Sequence, residues 1–216
     1  MTHDTELALG KGAETAKTML DPRLVRVILR ASQNLLMPRH FEQFLKRAGL
    51  ERFKEQLNET TKTPRVPTHT LALFMQMVAT KLGSDTVQLF YTNVGREILQ
   101  ELRRNDRILK FKTRIDALPL AERSAAALQD FVDWLCYMGG DLTLLTTPEA
   151  QVWQVVVHNC PYCWGIEADQ PLCNVTTILL SEVPKILTGW SFVSTELACV
   201  AQNAPNCVYE VREQLF

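Results

Sequence analysis

The sequence has no excess of positive charge: 23 basic side chains stand against 24 acidic ones, a formal net charge of −1. A nucleic-acid-binding surface leaves a basic footprint, so that class of function is set aside. No run approaches the roughly 18 consecutive apolar residues that suggest a membrane-spanning helix. The opening residues, MTHDTELALGKGAETAK, lack the apolar core of a secretion signal, and a cytosolic protein is expected. There is no internal repeat, no low-complexity segment and no glycine-rich dinucleotide fingerprint after a strand. With no obvious proton donor either, a binding or accessory protein is expected rather than a reductase. Cysteine is nearly absent from the first three quarters of the chain: five of the six lie between Cys160 and Cys207. In a cytosolic protein such cysteines are expected to be reduced, metal-bound or buried rather than paired as disulfides.

What is present is ordinary globular material, 46% hydrophobic and 22% charged over 216 residues. A chain of that length forms one domain, with or without a helical extension, and buries roughly 70% of its unfolded surface without needing disulfides.

Residues 1–20 are small and polar with little periodicity and read as a flexible arm. Asp21-Pro22 reads as an N-cap followed by proline at the first helical position, leading into Leu24, Val25, Ile28 and Leu29. Pro38 interrupts that helix, and Phe41, Phe44, Leu45 and Ala48 mark a second that Gly49 stops. The segment from Asn58 to Pro67, polar with two prolines, predicts a loop. Thr70 to Leu82 is apolar on nearly every side, which predicts a buried helix. Val87, Phe90, Tyr91, Val94, Ile98 and Leu102 form one face of the next. A further helix is predicted over Leu120 to Met138.

Beyond Gly139-Gly140 the pattern turns to strands at Leu142–Leu145 and Val152–Val157. A helix follows over Asn174 to Leu187, which Pro184 is expected to kink or shorten. The end reads as a strand at Ser191–Val193, a turn over Gln202–Asn206 and a strand at Cys207–Arg212. Helices followed by strand, strand, helix, strand, strand predict an α+β fold: an N-terminal helical bundle packed on a small antiparallel sheet.

The stretch HNCPYC, from His158 to Cys163, has three readings. Cys-Pro-Tyr-Cys at a helix start can form a dithiol redox pair, but only 53 residues follow Cys163 and what precedes it is mainly helical. Cys160 and Cys163 can also form half of a zinc site, with His158 near enough to join. The third reading looks further along, to Cys173, Glu196, Cys199 and Cys207, spaced C-x22-E-x2-C-x7-C. Three thiolates and a carboxylate complete a tetrahedral zinc set with no position left for water, the mark of a structural site. Residues three apart point to opposite faces of a flat strand, so Glu196 and Cys199 can share a metal only across a bulge or a turn of helix. The residues alone leave this zinc site standing beside a plainer alternative, buried cysteines with a solvated Glu196.

CPYCWGIEADQPLC, ILLSEVPKILTGWSF and VSTELACVAQNAPNCVYEV together resemble the 4-vinyl reductase-type domain. That family is named for a bacteriochlorophyll biosynthesis protein and also occurs in aromatic-hydrocarbon sensors. AGLERF at Ala48–Phe53 and the apolar helix before Gly83 are similar to the helical half of stand-alone members. The resemblance implies the fold of haem-based nitric-oxide sensors and Golgi-tethering subunits: a helical bundle on a small antiparallel sheet, often dimeric, enclosing a hydrophobic pocket. It also implies a structural Zn²⁺ held by Cys173, Glu196, Cys199 and Cys207, with Cys160 and Cys163 outside the site at the sheet edge. Thr176-Thr177 and Gln202–Pro205 depart from the family's glycines. His40 and His69 lie at or near helix starts, where a surface role is expected, and no haem is expected.

On this basis residues 21–138 are expected to carry the pocket and dimerisation helices, and residues 139–216 the zinc-bearing α+β domain. The pocket would be lined by Phe74, Met77, Val78, Phe90, Tyr91, Val94 and Trp153. A tetrapyrrole such as a chlorophyll or bacteriochlorophyll precursor is the leading ligand, and the chain, a homodimer, is its carrier or an assembly factor in photosynthetic pigment metabolism. Two other functions remain: an interaction module with a vestigial pocket, for which Trp134, Trp153, Trp164 and Trp190 would be anchors, and an aromatic-hydrocarbon sensor.

Overall fold

Asp21 begins the first helix as its residue type dictates: its carboxylate accepts from the Arg23 amide at 2.8 Å and is gripped by the Arg23 guanidinium. The computed structural model describes residues 19–56, 65–103, 106–147 and 151–214. Along them run β1 (Met19–Leu20), α1 (Pro22–Leu35), α2 (Pro38–Arg47), the single turn α3 (Phe53–Gln56), β2 (Val66–Pro67) and α4 (Thr68–Leu82). There follow α5 (Ser84–Arg103), α6 (Asp106–Asp116), α7 (Leu120–Tyr137), β3 (Leu142–Thr147), β4 (Val152–Val157), α8 (Asn174–Thr188), β5 (Ser191–Ala198) and β6 (Cys207–Gln214). The predicted α+β class holds. β3, β4, β6 and β5 form, in that order, one antiparallel sheet, and β1 pairs with β2.

Period-two alternation decides which face of the sheet is covered. Trp153, Val155 and Val157 of β4 and Cys207, Tyr209 and Val211 of β6 are buried, with their neighbours less so. α8 packs against β5 on one side and against α5 and α7 on others. Gly95 of α5 makes that approach close, since a Cβ there would lie 3.3 Å from the Cα of Val175. Ser181 of α8 accepts from the Ser194 amide at 3.0 Å, tying helix to strand.

Four differences from the sequence reading stand out. Met19–Leu20, the last residues of the expected arm, form β1, and Leu20 is buried; residues 1–18 lie outside the described ones. Of the Asn58–Pro67 loop, residues 58–64 lie outside the described ones, and Val66–Pro67 form β2 against the start of the chain. Pro184 does not shorten α8, which runs one residue past the predicted Leu187 to Thr188, with Val183 and Leu187 buried. Burying those apolar side chains, at about 1.5–3 kcal/mol each, offsets the roughly 3 kcal/mol an internal proline costs. Finally α6 falls where no element was predicted. Its buried residues, Ile108 and Ile115, lie two turns apart on one face, a signal too sparse to stand out among charged neighbours.

Gly139 closes the joint between α7 and β1. Its φ is +94°, and a Cβ there would lie 2.1 Å from the Met19 carbonyl oxygen. The Asp21 amide donates to the Met138 carbonyl at 2.8 Å in the same joint. Gly139→Ala is expected to cost on the order of 2 kcal/mol or more, because both conformation and space are denied. Gly49→Ala, with φ +67° but nothing within 4 Å of the added atom, should cost only about 1 kcal/mol. Urea denaturation midpoints of the two variants check the order.

Candidate metal centre

Three segments bring the C-terminal cysteines together. The loop after β4 carries Cys160 and Cys163; Cys173 stands at the N-cap of α8; the β5–β6 connection carries Cys199, with Cys207 opening β6. All five are fully or almost fully buried, and none is in a disulfide.

Glu196 and Cys199 share a face because of one extra residue. Pairing runs regularly from Ser191 opposite Gln214 to Glu196 opposite Tyr209, then shifts so that Ala198 faces Val208. Leu197 is left over as a bulge and points to solvent, 53% exposed. The bulge reverses the alternation, so two residues three apart turn the same way. A 3-10 turn at Val200–Gln202 follows, closed by Asn203 in the left-handed region at φ +65°. Asparagine tolerates that conformation well. The turn starts earlier than the predicted Gln202–Asn206, and of the two devices the sequence allowed between Glu196 and Cys199 it is the bulge that is present.

The donor atoms fall into two groups of four, each within 4.8 Å of one another: Cys173, Glu196, Cys199 and Cys207, and Cys160, Cys163, Cys173 and Cys207. Among the sulfurs, Cys160 to Cys173 is 3.2 Å, Cys163 to Cys207 3.2 Å, Cys173 to Cys163 3.3 Å and Cys173 to Cys207 3.8 Å. A zinc–sulfur bond of about 2.3 Å sets the edge of a tetrahedral site at about 3.8 Å, so these donors suit a metal ion with little rearrangement. The expectation that Cys160 and Cys163 lie apart at the sheet edge is thereby corrected. His158, which the zinc half-site reading enlisted, is exposed, and its Nε2 lies 2.9 Å from the Thr143 hydroxyl on the outer side of the sheet.

Two helices hold the Cys160–Cys163 loop through its backbone. The Tyr91 hydroxyl of α5 donates to the Tyr162 carbonyl at 2.5 Å, and the rings of the two tyrosines meet edge to face. Gln76 of α4 donates through Nε2 to the Gly165 carbonyl at 2.7 Å. Burial raises Tyr91 well above the usual phenol range, so the hydroxyl remains a donor.

A centre of thiolates and a carboxylate carries negative charge that N–H groups must offset. The Cys173 amide donates to Glu196 Oε2 at 3.1 Å and the Val200 amide to Cys207 Sγ at 3.4 Å. Backbone donors also reach Cys160 from Tyr162 and Cys199 from Leu172. Glu196 takes a further hydrogen bond from the Tyr209 hydroxyl at 3.4 Å. Burial, then repulsion from Cys199 and Cys207, pushes the Glu196 carboxyl up to about 9. Hydrogen bonds from Cys163 and Cys173 bring Cys199 down to about 6. Cys160 pushes Cys207 up, but Cys163, Cys173 and Cys199 together outweigh it and bring Cys207 to about 5. Cys173 is driven well above the ordinary thiol range, first by burial and then by its sulfur neighbours. Against its burial, Cys160 is held well below the ordinary thiol range by hydrogen bonds from its sulfur neighbours, so the metal-free cluster mixes groups shifted toward the thiolate, Cys160, Cys199 and Cys207, with Cys173 and Glu196, which are shifted toward holding their protons.

Of the residues predicted to line a ligand pocket, Phe74, Val78, Phe90, Tyr91, Val94 and Trp153 are core, 7% exposed or less, and Met77 packs partly buried against them. None lines the open cleft of about 620 Å³ between α5 and α8, whose walls include Thr92, Arg96, Arg103, Thr177 and Glu182. Nor do they line the cleft of about 340 Å³ around Arg23, Arg107 and Tyr137. Trp134 and Trp153 are buried, while Trp164 and Trp190 are half-buried. No helix of the described residues is long and apolar enough to cross a membrane.

No family model matches the sequence, and no curated protein matches it. Solved structures do. The phenol-responsive sensory domain of the transcription activator PoxR with phenol is 16% identical over 68% of this chain and 74% of its own, TM-score 0.47. A vinyl-4-reductase family protein from Methanocaldococcus jannaschii is 18% identical over 83% of this chain and 98% of its own, TM-score 0.40. A trafficking protein particle complex subunit 3 from Naegleria fowleri, covalently bound to palmitic acid, is 12% identical over 69% of this chain and 96% of its own, TM-score 0.47.

Tyr91→Phe removes the donor to a buried carbonyl of the cysteine loop and is expected to cost about 1–3 kcal/mol. Denaturation of the full chain measures it, and a loss under half a kilocalorie would mean that the loop does not depend on this bond.

Proposed function

We propose that the chain is a zinc protein of the 4-vinyl reductase type that binds a hydrophobic small molecule. Cys173, Glu196, Cys199 and Cys207 are its zinc ligands. The observation that carries this reading is the convergence of three buried thiols and the half-buried Glu196 carboxyl, from the start of α8, β5, β6 and the connection between them, with N–H groups directed at two of the four. Three thiolates and a carboxylate leave no open coordination position, so the role is structural: the ion would lock the terminal hairpin onto the start of α8.

The ligand half of the proposal rests on the resemblance between Cys160 and Val211 and on the apolar character of α4 and the inner face of α5. A tetrapyrrole such as a chlorophyll precursor is the leading ligand class, and the chain acts as its carrier or as an accessory factor, working as a homodimer. Residues 21–138 supply the pocket and dimer helices, and residues 139–216 the zinc-bearing part. A second reading, an interaction module with a filled pocket, draws support from Tyr91. Its hydroxyl is engaged by Tyr162 and its ring packs on that residue, so the chain's own groups occupy the middle of the expected pocket.

Native mass spectrometry and an absorbance spectrum of the protein from its own host separate these readings. Bound zinc plus a species absorbing in the red is the expected result; zinc with no organic ligand would favour the interaction module. Cys199→Ser and Cys207→Ser should each weaken zinc binding and lower the melting temperature by roughly 10 °C, the shift for a loss of about 3 kcal/mol in a chain of this size. Unchanged metal content and melting would remove these residues as ligands.

Zinc affinity should rise with pH between about 5 and 9. Cys207 and Cys199 are thiolates down to about 5 and 6, whereas Glu196, held near 9, keeps a proton at neutral pH that the cation must displace. Chelator competition across that range, with an indicator for released protons, should show a shallower slope for Glu196→Gln.

A further inference from the structure

Cys160 and Cys163 are left without a role by a single zinc, yet they are as buried as the other ligands and lie 3.2–3.3 Å from one or other of Cys173 and Cys207. The two groups of four donors have only Cys173 and Cys207 in common. Cys160 and Cys163 complete one group, and Glu196 and Cys199 complete the other. We infer that the centre holds two divalent cations, each four-coordinate, in two tetrahedra joined along the edge Cys173–Cys207 with those two sulfurs bridging. The inference rests on the zinc reading above for one half and adds the other.

Three features support it. First, each tetrad is complete without water. A thiolate sulfur has lone pairs enough to bind two cations, so bridging by Cys173 and Cys207 needs no donor from outside. The sulfur separations, 3.2 to 3.8 Å, approach the tetrahedral edge of about 3.8 Å in the half made only of cysteines as well.

Second, charge is conserved by the addition. One dication held by three thiolates and a carboxylate leaves a net charge of −2. A second dication, with Cys160 and Cys163 bound as thiolates, leaves the sum at −2. The extra half thus adds no uncompensated charge to a buried site, and the N–H donors are spread over both halves. The Tyr162 backbone serves Cys160, and the Cys173 amide serves Glu196.

Third, the loop of Cys160 and Cys163 is positioned independently of the hairpin. Tyr91 and Gln76, from α5 and α4, grip its carbonyls at Tyr162 and Gly165. Its thiols are therefore held against Cys173 and Cys207 by the helical half of the protein, whereas Glu196 and Cys199 are held there by the bulged hairpin. Two cations sharing an edge would join these halves; one cation in either tetrad would leave the other pair unused.

The test is a titration of the metal-free full chain with Co²⁺, reading thiolate-to-cobalt charge-transfer absorbance and the electron paramagnetic resonance signal. Two equivalents should bind per chain, and the signal should fall as the second enters, because thiolate-bridged cobalt ions couple antiferromagnetically. Cys160→Ser/Cys163→Ser and Glu196→Gln/Cys199→Ser should each bind one equivalent with an uncoupled signal. Saturation of the wild type at one equivalent, or two equivalents without coupling, overturns the two-ion centre whatever the variants do. If the one equivalent survives Cys160→Ser/Cys163→Ser, the single zinc site proposed above stands alone. If it is lost in that variant yet kept in Glu196→Gln/Cys199→Ser, the cation belongs to the four-cysteine set and that site falls as well.

Discussion

Five buried sulfurs that converge at the first turn of α8 are the constraint around which the C-terminal half is arranged. Cys173 is both the N-cap of α8 and a member of each donor group, so the start of that helix is placed by the cluster as much as by its own apolar face. The hairpin must bring Cys199 and Cys207 there from one side, and the loop after β4 must bring Cys160 and Cys163 from the other. A position that satisfies both leaves little freedom in how α8 lies between sheet and helices.

The helical half has a comparable requirement. α5 crosses α8 closely at Gly95, and about one turn earlier it supplies Tyr91 to the cysteine loop. α4 supplies Gln76 to the same loop. Residues that looked from their spacing like the lining of a ligand pocket are thus partly occupied in holding the sulfur cluster. The apolar stripe of a helix cannot by itself distinguish a wall around a cavity from a wall against neighbouring side chains, because both put the same residue types on the same face.

Electrostatically the cluster is built for cations. A carboxylate beside sulfur anions, far from any guanidinium or ammonium in its hydrogen-bond set, is costly to bury in charged form, which is why Glu196 is pushed to about 9. Backbone amides soften that cost without removing it. The same donors that repel one another as anions would become favourable partners with a dication among them, which would link metal uptake to proton release and to the packing of the hairpin.

By itself the sequence determined the class of fold and the main helices and strands, α8 through Pro184 among them, because capping residues and hydrophobic period are local properties of the chain. It proposed Cys173, Glu196, Cys199 and Cys207 as one donor set and stated the condition such a set needs, a bulge or a turn between Glu196 and Cys199, without deciding which. Only the tertiary structure decided that Leu197 bulges, that Pro184 leaves α8 unshortened, that α6 exists, and that Cys160 and Cys163 stand in the same cluster. Each depends on contacts between residues far apart in the chain: packing that outweighs a proline's cost, a register set by a partner strand, and a loop held by two helices. Spacing along a chain can propose which donors share a cation, but their meeting in space is settled by the elements that carry them.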